Sequence, residues 1–202
     1  MITTTCTTDG EHEVRVIGQS ADLVVRSPVF QAWLDRFDFS RLELKMIVVQ
    51  SAHIFANGRV IFATLETEVY DRESGQAIPG IVFLRGPAVS ILVLIACQET
   101  GENYVLLTEQ ARVPLGQPAF VEAVAGMIDK DDGVVGRAIA EIEEETSIVI
   151  TPQDLQPLGT FVPSAGGCDE YIECFWMRQT LRQSQITDIM TRLHGAAGEN
   201  ES

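Results

Sequence analysis

The sequence predicts an α+β fold, and three observations carry that expectation. Two long β-rich runs, 42–54 and 59–70, follow one another around Asn57-Gly58 with no helix between them. A clear helical period is confined to a few segments, of which 134–148 is the strongest. Strands and helices mix without the regular alternation of a doubly wound sheet. The 202 residues, 46% apolar and 21% charged, suffice for one globular domain, with or without a small appendage, and a buried core.

Taken in order, 1–12 is Thr-rich and acidic and reads as a flexible tail. After Ser27-Pro28, Val29, Phe30, Trp33, Leu34 and Phe37 recur at helical spacing, with proline in its favoured place at a helix start. The two long strands of the hairpin come next, then a polar turn at 71–76 and further strands at 81–84 and 89–97. A turn at 99–103 leads into a strand at 104–109, a Pro/Gly-containing loop at 113–118 and a short strand at 120–125. The helix 134–148 is followed by strands at 158–162 and 171–177, with the loop Pro163-Ser164-Ala165-Gly166-Gly167 between them. A last helix is expected at 185–193, and the tail from His194 is small and polar.

Composition excludes several functions. There are 29 acidic side chains against 14 basic ones, a net charge of −15. Nucleic-acid backbones and anionic membranes would repel such a chain, so neither is expected as a partner. The four cysteines form no CxxC pair and only three histidines accompany them, which argues against zinc and for reduced thiols. The N-terminus has no apolar core and no Arg-rich amphipathic character, so it is neither signal nor transit peptide by pattern. The most apolar run, 88–97, is about half a membrane span and reads as a buried strand. A cytoplasmic protein is expected.

The charge is concentrated. Residues 121–150 hold eight acids (Glu122, Asp129, Asp131, Asp132, Glu141, Glu143, Glu144, Glu145) against Lys130 and Arg137. At about 100° per helical residue, Glu141, Glu144 and Glu145 share an arc of about 100° while Glu143 points away. Three like charges on one face repel one another, a cost that solvent can screen or a divalent cation can remove. Hard oxygen ligands in this number suit Mg²⁺ or Mn²⁺. An EF-hand starting at Asp129 fails on register, because Val134 falls where the loop needs glycine and Ala140 where it needs glutamate. There is no P-loop, GxGxxG or GxSxG.

The stretch Gly126-x5-Asp132-x7-Ala140-Glu141-Ile142-x-Glu144-Glu145-x-Ser147-Ile148 resembles the Nudix hydrolase signature G-x5-E-x7-R-E-U-x-E-E-x-G-U, with U aliphatic. It departs at Asp132, Ala140 and Ser147, and none of these changes removes a helix glutamate. Gln110-Ala111-Arg112-Val113-Pro114 and Glu122-Ala123-Val124-Ala125-Gly126-Met127-Ile128-Asp129 look like the corresponding run of the ADP-sugar pyrophosphatase branch. Pro163-Ser164-Ala165-Gly166-Gly167-Cys168-Asp169-Glu170 is similar to its S-P-G-G-x-x-E loop. Pro79-Gly80-Ile81-Val82-Phe83-Leu84-Arg85-Gly86 and the segment from Ser27 to Leu34 resemble plant-type ADP-sugar diphosphatases.

That resemblance implies a Nudix fold, a mixed sheet sandwiched by helices, over 87–202, preceded by a β-rich dimerisation and substrate portion over 13–86. It implies Mg²⁺-dependent hydrolysis of a nucleoside-diphosphate sugar, ADP-ribose or ADP-glucose, to nucleoside monophosphate and sugar 1-phosphate. Carried over residue by residue, Glu141, Glu144, Glu145 and the Ala125 carbonyl are metal ligands and Glu170 is the base. Arg112 and Arg85 are candidates for the substrate's phosphates, Glu122 lies near the metals, and Gly166 and Gly167 bend the loop over the ligand. The family's box arginine orients the first helix glutamate. Ala140 cannot do so, whereas Arg137, four residues before Glu141, lies on the same side of the helix. The family continues past Leu193 with another strand and a helix, so the chain is expected to be truncated there. A homodimer is implied. The alternatives are a nucleotide-sugar binding protein without turnover and a Nudix hydrolase for another diphosphate.

Overall fold

The structure, a computed structural model, describes residues 2–8, 12–128, 133–146 and 148–191. The signature positions Asp132 and Ser147 and the tail from His194 lie outside the described residues. The chain divides into two compact units, one running up to Gly86 together with Val162–Tyr171, the other Pro87–Phe161 together with the chain from Ile172. Strands and helices mix in both, which is the α+β class.

The first unit contains β1 (Ile2–Thr8), β2 (His12–Gly18), α1 (Ala21–Arg26), α2 (Pro28–Leu34), β3 (Leu42–Ile54), β4 (Val60–Asp71), β5 (Ala77–Ile78) and β6 (Ile81–Leu84). Its sheet runs β1-β2-β3-β4, with β5 and β6 both on β4; the β2–β3 pair is parallel and the others antiparallel. The β3–β4 hairpin turns at Asn57-Gly58, where Gly58 has φ 84° and the Phe55 carbonyl accepts the Gly58 N–H. Helix α2 starts where the sequence placed it, because Ser27 Oγ accepts the Phe30 N–H and Pro28 opens the first turn. Phe30, Ile47, Leu65 and Leu84 are among the fully buried side chains of this core.

Two expectations change here. The sequence reads 1–12 as a tail, but Ile2–Thr8 is a strand paired with β2 along seven residues. Its β-branched threonines suit a pleated edge, and Cys6 points into the core. The sequence also assigns the Glu170 loop to the second domain. Instead the Phe83 N–H donates to Gly167 (2.7 Å) and the Asp169 N–H to Phe83 (3.2 Å), so 162–171 packs with the first unit.

The second unit contains β7 (Ala88–Cys97), β8 (Asn103–Leu106), β9 (Thr108–Arg112), β10 (Gln117–Glu122), β11 (Val124–Met127), α3 (Gly133–Thr146), β12 (Gln156–Phe161), β13 (Ile172–Leu181) and α4 (Gln183–Thr191). One sheet runs β11-β7-β13-β12, with β8 also on β7, and β9–β10 form a separate ladder. Strand β13 runs parallel to β7 from Ile172↔Ala88 to Leu181↔Cys97. Val89, Ile91, Val93 and Ile95 alternate into the core, where Ile142 of α3 and Met177 of β13 are fully buried. The expected single strand at 120–125 is two, since Glu122 ends the ladder with β9 and Val124 begins the pairing with β7. Among the described residues no helix is long and apolar enough to cross a membrane.

Candidate active site

Helix α3 turns Ala138 and Ile142 inward and Glu143 out to solvent, as its period requires. Glu141 is the exception, a carboxylate whose side chain is only 7% exposed. It is accommodated by β11. A Cβ built on Gly126 would overlap the Glu141 carboxylate, so the side chain lies on bare backbone beside Ala125. Burying such a charge requires a partner. Arg137, one turn earlier, supplies it through a close ion pair from Nη2 to Glu141 Oε1, and the same nitrogen lies 3.5 Å from Glu144 Oε2. The Arg137 guanidinium thus holds the first helix glutamate although Ala140 cannot. At the last residue of the helix, Thr146 Oγ1 accepts the Ile148 N–H (3.0 Å) and donates to the Ile142 carbonyl, closing its end.

Glu141, Glu144 and the adjacent Ala125 backbone are hard oxygen donors on neighbouring elements, a set that fits Mg²⁺ or Mn²⁺. Glu145 belongs to α3, but its side chain lies outside the described part, as do 129–132. Among the described residues no three acidic, histidine or cysteine side chains form a metal-sized group.

The β9–β10 ladder brings Arg112 and Glu122 together. Glu122 Oε1 accepts from Gln110 Nε2 (2.8 Å), from Arg112 Nε (2.8 Å) and from Arg112 Nη2. Gln110 and Arg112 alternate on one face of β9, so a single carboxylate reaches both. The sequence separates the two roles, phosphate for Arg112 and metals for Glu122; the structure makes them one paired unit.

In the first unit, Glu170 and Arg85 also meet, Arg85 Nε donating to Glu170 Oε1 at 2.5 Å. The preceding residue anchors the loop. Asp169, with its side chain 1% exposed, accepts the N–H groups of Arg85 (2.7 Å) and Gly86 (3.0 Å) on Oδ1 and Arg36 Nη2 (3.2 Å) on Oδ2. Burial pushes the Cys168 thiol up. Gly166 and Gly167 have open space around them and no left-handed backbone. The curvature of this loop therefore does not itself require glycine.

Nothing in the sequence singles out Asp169 or Arg36 for this pairing. They lie 133 positions apart, and no periodic or local signal links them.

Among curated proteins, the chain is 37% identical over 193 residues to Nudix hydrolase 14, chloroplastic, of Arabidopsis thaliana, covering 85% of this chain and 61% of that protein. The chain is a homologue of this Nudix hydrolase over most of its length. The chain is also 28% identical over 127 residues to the methanol dehydrogenase activator of Bacillus methanolicus, with 63% of each covered. It thus spans 61% and 63% of the lengths of these two relatives. No protein-family model matches it. Among solved structures, an ADP compounds hydrolase superposes with a TM-score of 0.46 at 13% identity, over 69% of this chain and 73% of that one. A MutT/nudix family protein from Enterococcus faecalis superposes with a TM-score of 0.40 at 18% identity, over 46% and 36%.

Proposed function

We propose that this chain is a Nudix hydrolase that cleaves the diphosphate of a nucleoside-diphosphate sugar, ADP-ribose or ADP-glucose, in a Mg²⁺-dependent reaction. The products are a nucleoside monophosphate and a sugar phosphate. The observation that carries this reading is the buried Glu141 carboxylate, seated on Gly126 beside Ala125 and coupled through Arg137 to Glu144. Its test is a panel of ADP- and UDP-sugars with Mg²⁺, assayed for nucleoside monophosphate. Turnover of an ADP-sugar is the expected result. Calorimetric binding with no product would favour a nucleotide-sugar binding protein instead, and turnover confined to dinucleotides or coenzymes would move the substrate class.

In this reading Glu141, Glu144, Glu145 and the Ala125 carbonyl would hold the metal. Bound there, Mg²⁺ supplies charge neutralisation at the phosphates and polarises phosphorus. Arg112 offers its forked guanidinium to phosphate oxygens, and its pairing with Glu122 presets its direction. Glu170 accepts the proton of the attacking water at its carboxylate. Glu170→Gln should then cost roughly 100-fold or more in kcat while leaving Mn²⁺ affinity unchanged.

The N-terminal β-rich unit is assigned to a homodimer, which light scattering tests; a monomer would contradict it. For location, the sequence expectation is the cytoplasm, whereas the plant relative is named chloroplastic. Cell fractionation separates the two.

A further inference from the structure

We propose that Arg85 is a positioning residue that aims the carboxylate of Glu170, and not a ligand of the substrate's phosphates. The inference rests on reading Glu170 as the base. Three observations within the first unit carry it.

The first is the bond itself. Arg85 Nε lies 2.5 Å from Glu170 Oε1, and the Glu170 side chain is only 14% exposed. A charge-assisted bond in so screened a place is a strong determinant of rotamer. The second is a shared anchor. The buried Asp169 carboxylate accepts Arg85's own backbone N–H, so donor and acceptor are tied to one another through the residue that precedes Glu170. The third is an aromatic neighbour of the guanidinium. The guanidinium lies over the Phe62 ring (5.6 Å to the centroid), and Phe62 in turn packs on Phe83 (5.6 Å between centroids). Ring and carboxylate thus both bear on where the guanidinium sits.

A phosphate ligand and a positioning residue differ in what their removal does. Loss of a phosphate contact weakens ground-state binding and raises KM, whereas misplacing a base lowers kcat. A positioning residue should also have nothing left to do once the base is gone. Because the backbone N–H of residue 85 survives truncation of its side chain, the Asp169 anchor and the loop should stay in place.

The experiment is steady-state hydrolysis of ADP-ribose with Mg²⁺, or of ADP-glucose if that is turned over faster, by Arg85→Ala, Arg85→Lys, Glu170→Gln and the Arg85→Ala/Glu170→Gln double variant. Arg85→Ala should lower kcat by about 10- to 100-fold, the scale of a misplaced catalytic group. KM should change by less than about 3-fold, and Arg85→Lys should regain part of the lost kcat. In the Glu170→Gln background, Arg85→Ala should cost less than about 3-fold. Amide hydrogen exchange over 163–171 should match the wild type. A KM rise of about 10-fold with kcat retained, or losses that multiply in the double variant, would overturn the role given to Arg85. So would loosened exchange in the loop, because Arg85 would then be a prop for the backbone. A Glu170→Gln variant with wild-type kcat is a different failure, since it overturns the base reading and takes this inference with it.

Discussion

The carboxylate of Glu141 fills the space that a Cβ on Gly126 would need. Gly126 is not in the left-handed region, so its own backbone tolerates alanine. The collision alone should make Gly126→Ala costly, by about 1–3 kcal/mol, as in other overpacked sites. Glu141→Ala in the same chain should relieve most of that cost, giving a strongly non-additive pair in urea denaturation. Additive losses would mean that the glycine is needed for some other reason.

Removing Arg137 leaves Glu141 buried without the cation that faces it and Glu144 without its neighbour. Arg137→Ala should destabilise the metal-free protein by roughly 1–3 kcal/mol, the cost of orphaning a buried polar group. Mg²⁺ bound by the same carboxylates should return part of that stability, so the melting-temperature gap between variant and wild type should narrow as Mg²⁺ is added. A gap independent of Mg²⁺ would separate Arg137 from the metal site.

Arg112 is held by Glu122 in the β9–β10 ladder. If its guanidinium meets phosphate, Arg112→Ala should raise KM for ADP-ribose by about 10-fold or more with a smaller change in kcat. Glu122→Gln keeps the shape but removes the charge that presets the arginine, and should give a weaker effect in the same direction. Unchanged kinetics in both would leave the pair as a strut of the ladder.

The Glu99 carboxyl is held below the usual carboxylate range, chiefly by the Gln183 N–H that it accepts at the start of α4. A folded-state value below the unfolded one gives stability that is present above the ordinary glutamate value, about 4.3, and is lost as pH falls through the lower one. Glu99→Gln should therefore lower Tm slightly at neutral pH, with the difference disappearing in acid. A difference constant across that range would mean that shape and not charge caps α4.

Much of this molecule was legible in its residues. The 42–54 and 59–70 hairpin, the Ser27-Pro28 helix start and α3 follow from local rules, because turn chemistry, capping and period act over a few positions. The strand at Ile2–Thr8 was not legible, since a polar threonine run becomes a strand only when β2 supplies a partner. The split at Glu122–Val124 escaped for the same reason, as consecutive residues pair with different strands.

By itself the sequence determined which residue types could do the chemistry and their spacing along α3. It also determined that an arginine lies one turn before Glu141, since helical geometry converts position into a face. Only the tertiary structure decided what each charge meets. It put Glu141 against Gly126, joined Arg112 to Glu122, and tied Glu170 to Arg85 through an aspartate that no pattern had marked. The reason is that a buried charge must find its partner in space, and Arg85 and Glu170 stand 85 positions apart in the chain.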